Sequence, residues 1–135
     1  MQKMRLVELP CPENVANAEL RTRALISPKA KWTRHYVAYD DGREVAFVSL
    51  DINARVDYLV LYEMFVPERL RTQGIGSRVL LEIERTARNL AYHKVTLLPQ
   101  PIDPAISRDV LIGWYRKRGY TARVEFQEEL EKSLI

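Results

Sequence analysis

Arg71-Thr72-Gln73-Gly74-Ile75-Gly76 lies between an apolar run ending at Val66-Pro67 and a long segment with helical periodicity. A strand that hands the chain to glycines and then to a helix builds an anion site. Gly74 and Gly76 carry no Cβ to hold a phosphate away from the backbone. A helix starting here points unpaired N–H groups and the positive end of its dipole into the turn. Two other glycine motifs do not fit these letters. A dinucleotide fingerprint started at Gly74 needs a third small residue at position 79, which is Val79. A Walker loop needs Gly-Lys-Ser/Thr, whereas Gly76 is followed by Ser77-Arg78. By themselves the six residues leave open whether the glycines serve a ligand or only shape a strand-to-helix turn.

The flanks narrow that choice. Asp57 to Val66 is the longest β-patterned run, bulky and nearly all apolar, as expected of a central strand covered on both faces. From Ile75 the apolar positions Val79, Leu80, Ile83, Ala87, Leu90 and Ala91 recur at helical spacing, with Arg78, Glu82, Arg85 and Arg88 on the other side. His93 to Leu98 reads as a short strand, and Pro99-Gln100-Pro101-Ile102-Asp103-Pro104 as an extended linker. Ser107 or Asp109 caps a further helix that ends at Gly119. Tyr120 to Phe126 and Leu130 to Leu134 read as two closing strands. Upstream, Met4 to Leu9 reads as a strand, Glu13 to Ile26 as a helix, and Trp32 to Tyr39 with Glu44 to Asp51 as a hairpin turning at Asp40-Asp41-Gly42.

The six-residue loop fits Arg/Gln-x-x-Gly-x-Gly/Ala and in its context resembles the pyrophosphate loop of the GNAT N-acetyltransferase superfamily. Ile112-Gly113-Trp114-Tyr115-Arg116-Lys117-Arg118-Gly119-Tyr120 is similar to the same family's aromatic-Tyr-x-x-x-Gly-Phe/Tyr segment. The resemblance covers Leu59 to Tyr120 well and the N-terminal third poorly. It implies an α/β (α+β) GNAT-like fold. The central sheet would be mixed and mostly antiparallel, with six to seven strands flanked by helices and two central strands splayed around a pantetheine arm. It also implies acetyl-CoA as co-substrate and acetyl transfer to a primary amine by direct attack on the thioester. The backbone of Met64, Phe65 and Val66 would meet the pantetheine. Arg71, Thr72, Gln73, Gly74, Ile75, Gly76 and Ser77 would cradle the pyrophosphate, largely through N–H groups.

Tyr115 matches the family's tyrosine that can protonate the leaving thiolate, and with an ordinary pKa of about 10 it holds its proton at pH 7. The base is less plain. The position used by some relatives falls on Val60, which accepts no proton, and the nearest carboxylate is Glu63. Strict alternation places Glu63 with Leu61 and Phe65, away from Met64, unless a bulge re-aims it. It reads as base or as structural partner. Trp114 reads as packing. Without a base, a lysine-like amine costs about 4.6 kcal/mol to neutralise at pH 7 and an α-amine about 1 kcal/mol, which tilts the acceptor toward low-pKa amines.

The 135 residues suit a single domain over 1–135, and the 47% apolar content is ordinary for a globular protein. Cys11 stands alone, and with His35 and His93 it shows no metal-ligand spacing, so no metal is expected. No apolar stretch reaches the roughly 18–20 residues that span a bilayer. The start Met1-Gln2-Lys3-Met4-Arg5 does not read as a signal peptide, so no membrane partner and a cytoplasmic location are expected. The net charge is +3, and residues 20–39 contain no acidic side chain but hold Arg21, Arg23, Lys29, Lys31 and Arg34. That window is a solvated face, or a rim for an acidic acceptor or a nucleic-acid backbone. Interleaved surface aromatics and a helix-turn-helix signature are missing, so nucleic acid is not an expected partner. The acceptor is a small molecule or a peptide or protein amine, and a homodimer through the C-terminal strands is compatible with the resemblance. The alternative is a non-catalytic CoA- or acyl-CoA-binding regulatory module.

Overall fold

The computed structural model describes residues 3–135; Met1 and Gln2, which open the segment weighed against a signal peptide, lie outside the described residues. The elements follow as β1 (Met4–Glu8), α1 (Ala18–Ile26), β2 (Thr33–Asp40), β3 (Arg43–Asp51), β4 (Tyr58–Phe65), α2 (Ile75–Asn89), β5 (Lys94–Leu97), α3 (Arg108–Arg116), β6 (Thr121–Ala122) and β7 (Leu130–Ser133). The strands form one sheet in the order β1-β2-β3-β4-β5-β7-β6. Among the described residues only the β4/β5 pairing is parallel. This is the mixed, mostly antiparallel seven-stranded sheet that the resemblance implies.

Local chemistry accounts for most of these elements. At the β2/β3 turn Asp41 and Gly42 both have positive φ, 54° and 86°, as a two-residue turn matched to strand twist requires. On α2, Ile75, Val79, Leu80, Ile83 and Ala87 are buried against Val48, Leu50, Leu59 and Leu61 of the sheet. Each of the larger side chains Ile75, Val79, Leu80 and Ile83, taken wholly out of water, contributes about 1.5–3 kcal/mol. α1 covers the opposite face, setting Leu20 and Ala24 over Val37 and Phe47. The central strands are therefore apolar on both sides.

Two expected boundaries differ. The helix expected from Glu13 begins at Ala18, because Pro12–Asn14 closes a separate 3-10 turn and Asn17 caps the helix by accepting from Leu20 N–H. Glu44 on β3 reaches back to accept from the N–H groups of Ala16 and Asn17, which takes those donors out of any longer helix. The strand expected over Tyr120 to Phe126 shrinks to Thr121–Ala122. Past it, Arg123 N–H donates to Glu129 O and Glu129 N–H to Phe126 O, closing a loop on itself.

One ion pair fixes the start of α2 to the end of β2. Arg78 donates two parallel hydrogen bonds, 2.7 and 2.8 Å, to the buried carboxylate of Asp40. These bonds, with the Arg78 charge behind them, hold the Asp40 carboxyl below the usual carboxylate range. A depressed carboxyl stabilises the fold above its unfolded pKa, and the contribution is lost as pH falls through the lower folded value. Asp40→Ala is expected to cost about 2 kcal/mol at pH 7, a fall in Tm on the order of 8 °C. The deficit should shrink below about pH 4. Thermal unfolding at pH 7 and pH 3 checks both; an equal deficit at the two pH values would remove the ion pair as its cause.

Candidate active site

The parallel pairing of β4 with β5 runs only over Tyr58–Leu61 against Lys94–Leu97. Beyond that point β4 continues beside β3, with Met64 opposite Val48 and Phe65 opposite Phe47. The other chain leaves through Leu98-Pro99-Gln100-Pro101, where two prolines cannot donate to a ladder. The strands part, and a cleft of about 910 Å³ opens between them. Leu61, Met64, Gly76, Trp114 and Tyr115 line it on the α2 side, and Val60, Glu63, Thr96 and Arg123 on the other. The opening passes through the sheet.

A bulge sets what β4 shows to this cleft. Leu50 faces Leu61 while Ser49 faces Glu63, so Tyr62 is an extra, exposed residue on β4. Before it the odd-numbered Leu59 and Leu61 face α2; after it the even-numbered Met64 and Val66 do. Strict alternation would have set Glu63 beside Leu61. The bulge turns it, with Phe65, toward α1. There Glu63 is buried and fully engaged. Its Oε2 accepts from Arg23 at 2.7–2.8 Å and its Oε1 from Ser27 Oγ at 3.0 Å.

The glycine loop closes one end. A 3-10 turn over Glu68–Gln73 leads to Gly74, whose φ of 73° falls in the left-handed region. No side chain caps α2. Its first intrahelical bond is Arg78 N–H to Gly74 O, which leaves the N–H groups of Ile75, Gly76 and Ser77 without helical acceptors. Gly76 sits under Trp114: a Cβ there would stand 3.4 Å from the indole. Arg118 stacks on that indole at 3.8 Å and donates to Ser77 Oγ at 2.7 and 3.0 Å. Arg71 donates to Val66 O at 2.8 Å and pairs with Asp103 of the proline linker. The Ala105 N–H and then Arg71 hold the Asp103 carboxyl below the usual range.

Tyr115 stands at the middle of the cleft wall, edge-on to Tyr120 at 5.5 Å. Burial pushes its hydroxyl well above the ordinary tyrosine pKa, so it stays protonated at any physiological pH. Glu63, Met64, Phe65, Val66, Arg71, Gly76 and Tyr115 thus line one cavity. Thr72, Gln73 and Gly74 are exposed on the loop beyond it, Ile75 is buried in the core, and Ser77 is held by Arg118. Of the basic window, Arg21 donates to Val15 O and Ala16 O and Arg23 pairs with Glu63, so neither is a free rim charge. Arg23, Ser27 and Asp103 carry no mark in the sequence as partners of this cleft. Arg118 lay inside the second motif, and its spacing of four from Trp114 was the available signal.

A sheet parted at its centre, with an uncapped glycine-entered helix on one side and a protonated tyrosine between, is the architecture of a CoA-dependent acyltransferase. The family profile described as "Acetyltransferase (GNAT) domain" matches residues 31–122. The chain belongs to the GNAT acetyltransferase family and is by that membership an acyltransferase. No curated protein sequence matches it. An IAA acetyltransferase from Bacillus cereus shares the fold with a TM-score of 0.65 and 16% identity, over 97% of this chain and 99% of that one. The PaiA N-acetyltransferase of Thermoplasma acidophilum in complex with coenzyme A gives 0.57 and 17%, over 85% and 67%. The KacTA protein of a KacTA–DNA complex gives 0.70 and 10%, over 98% and 94%. Among the described residues no helix is long and apolar enough to cross a membrane.

The tight approach at Gly76 is testable without ligand. Gly76→Ala adds an ordinary contact and a better helix former, so its Tm should equal or slightly exceed that of the parent. Gly76→Leu must displace Trp114 and should cost about 1–3 kcal/mol. Tryptophan emission and thermal unfolding follow the two variants; an unmoved spectrum in Gly76→Leu would show that the indole does not rest there.

Proposed function

We propose that this protein transfers an acetyl group from acetyl-CoA to a primary amine, by direct attack of the amine on the thioester. The observation that carries the proposal is the parting of β4 from β5 after Leu61 and Leu97. It leaves the β5-facing edge of Met64 and Phe65 without a strand partner, inside a cavity, where the amides of a pantetheine arm can add to the ladder. The unpaired N–H groups at the start of α2 then meet the pyrophosphate, where the helix dipole favours negative charge. Arg71 contributes differently from a free loop cation. Its bonds to Val66 O and Asp103 brace the mouth of the cleft.

Transfer needs a neutral amine, a polarised carbonyl and a proton for the departing thiolate. Tyr115 supplies the last, since its burial keeps the hydroxyl protonated until a thiolate forms beside it. Glu63 accepts the proton of the ammonium from the far side of the sheet. Arg23 takes both lone pairs of Oε2 and Ser27 one of Oε1, so the proton is accepted at the remaining lone pair of Oε1. A carboxylate base relaxes the restriction to weakly basic amines, and a small-molecule, peptide or protein amine all remain acceptors of this chemistry. The engagement of both Glu63 oxygens also supports a second reading, in which the chain binds acyl-CoA as a regulatory module and catalyses nothing.

Acetyl-CoA at about 100 times its dissociation constant should stabilise the protein by about 2.7 kcal/mol, a rise in Tm on the order of 10 °C. Tyr115→Phe should keep that rise and lose about 100-fold or more in kcat. A rise with no turnover on any amine would establish the regulatory reading, and no rise at all would withdraw acetyl-CoA as the ligand.

A further inference from the structure

Three polar side chains of the α1 face stand in one row across the sheet, and the proposed chemistry uses only the last of them. His35 on β2 is the register partner of Ser49 on β3, and Ser49 is the register partner of Glu63 on β4. Directly opposed residues on adjacent strands have Cα atoms about 4.5–5.5 Å apart and project to the same face. All three are buried: His35 is 4% exposed, Ser49 0% and Glu63 8%. Their neighbours Val37, Phe47 and Phe65 on that face are apolar, which makes three polar groups in line a costly arrangement unless they are used.

Ser49 marks the row as more than packing. Its Oγ is buried and has no hydrogen-bond partner, although a hydroxyl in such a place costs about 1–3 kcal/mol when left unpaired. The two ends of the row are by contrast well fixed. Arg23 and Ser27 from the end of α1 hold Glu63. At the other end His35 Nε2 lies 3.3 Å from Pro28 O. A carbonyl only accepts, so Nε2 carries the proton and Nδ1 of the neutral ring is an acceptor. His35 also packs edge-on against Phe47 at 5.0 Å, which fixes the plane of the ring.

We propose that Glu63, Ser49 and His35, with one water held at the Ser49 hydroxyl, form a proton-exit path that leads from the cleft beneath α1. The inference rests on Glu63 acting as the base of the proposed acetyl transfer. The ammonium of the acceptor loses its proton to Glu63, which becomes a carboxylic acid. That acid passes a proton through the water and the Ser49 hydroxyl, each giving up one proton as it takes another, to Nδ1 of His35. The carboxylate is restored, the ring becomes an imidazolium, and its proton passes to solvent. Ser49 and His35 act through Glu63 and are positioning residues for the proton. A water with the Ser49 hydroxyl, the carboxylate and the imidazole around it has the polar partners that a buried water needs.

The charges around the row make any imidazolium on His35 short-lived. Arg23 faces Glu63 from α1, Lys29 faces His35 from the segment after α1, and Glu63 faces it across the sheet. The remaining carboxylate on this stretch of β3, Asp51, accepts from Thr33 Oγ at 2.7 Å. Burial, helped by the Lys29 charge, holds the His35 pKa below that of a free histidine while the Pro28 carbonyl and Glu63 oppose the shift, so the ring is neutral at pH 7 and releases a proton readily.

The test compares parent, Glu63→Gln, Ser49→Ala and His35→Gln as functions of pH, with an amine whose own pKa is about that of lysine, 10.4. Glu63→Gln should lose about 100-fold in kcat at pH 7 and Ser49→Ala about 10-fold, with KM for the amine unchanged. Both deficits should close as pH approaches the pKa of the amine, because an acceptor that arrives neutral needs no base. A Ser49→Ala deficit that persists at every pH, or none, overturns the path even where Glu63→Gln behaves as a base variant. No deficit in Glu63→Gln overturns the base and the path together. Should the protein show no turnover, the His35 ring titrated by NMR in full-length parent and Glu63→Gln decides separately. Removing the carboxylate across the row should lower the His35 midpoint, and an unmoved midpoint sinks the path. The same titration covers a His35→Gln variant that fails to fold, since it reads the His35 ring itself, in parent and Glu63→Gln.

Discussion

Everything at the candidate site depends on where two parallel strands stop pairing. β4 and β5 share four residues of ladder and then separate, one held by β3 and the other drawn off through a proline-rich linker. A buried strand edge without a partner is costly, since each unpaired backbone group forfeits a hydrogen bond. The chain meets part of that cost itself: Arg71 reaches back to Val66 O and pairs with Asp103, so one guanidinium ties β4, the loop and the linker together. The rest of the edge is left for a ligand with amide groups of its own. The void is a candidate binding site because its lining is chemically incomplete.

The bulge at Tyr62 is the second consequence of that geometry. An acidic side chain in an apolar strand must find charge and hydrogen bonds or be expelled. Turned one way, Glu63 would meet the hydrophobic layer under α2. Turned the other, it meets Arg23 and Ser27 on α1. The extra residue makes the second choice, and with it the cleft gains a carboxylate on the face opposite Tyr115. In the proposed transfer, acid and base would approach a thioester in the gap from opposite faces of the sheet.

What the sequence disclosed and what it withheld follow from the range of the forces involved. The hairpin turning at Asp40-Asp41-Gly42, the run ending at Val66, the amphipathic α2 and the helix ending near Gly119 are written in local periodicity and turn chemistry, and all are present. The start of α1 was misjudged because Glu44, distant in sequence, takes the N–H groups of Ala16 and Asn17. Tyr120 to Phe126 has strand propensity, yet a loop closed by Arg123 and Glu129 overrides all but two residues. Of the candidate site, the glycine loop and Tyr115 were legible as motifs. The aim of Glu63 was not, because a bulge is a property of two paired strands and β3 supplies the other half of the information. Nor was the pairing of Arg71 with Asp103, for which thirty-odd intervening residues offered no spacing to read.

The junction of α2 with α3 explains why the two motifs occur together. Gly76 allows Trp114 to rest on the first turn of α2, Arg118 covers the indole, and its guanidinium bonds Ser77 in the same turn. A cation at the positive end of a helix is unfavourable by itself. It becomes favourable once a phosphate is bound there, because the helix N-terminus and the guanidinium then attract the same anion. Since Tyr115 is the residue next to Trp114, anything that presses Arg118 and Trp114 toward the loop also fixes the position of the tyrosine hydroxyl. In the proposed reading, binding of the cofactor's anionic end and placement of the acid would be parts of a single contact. The glycine loop and the Trp114-Tyr115 segment are two sides of one interface, joined by Gly76, Trp114, Arg118 and Ser77.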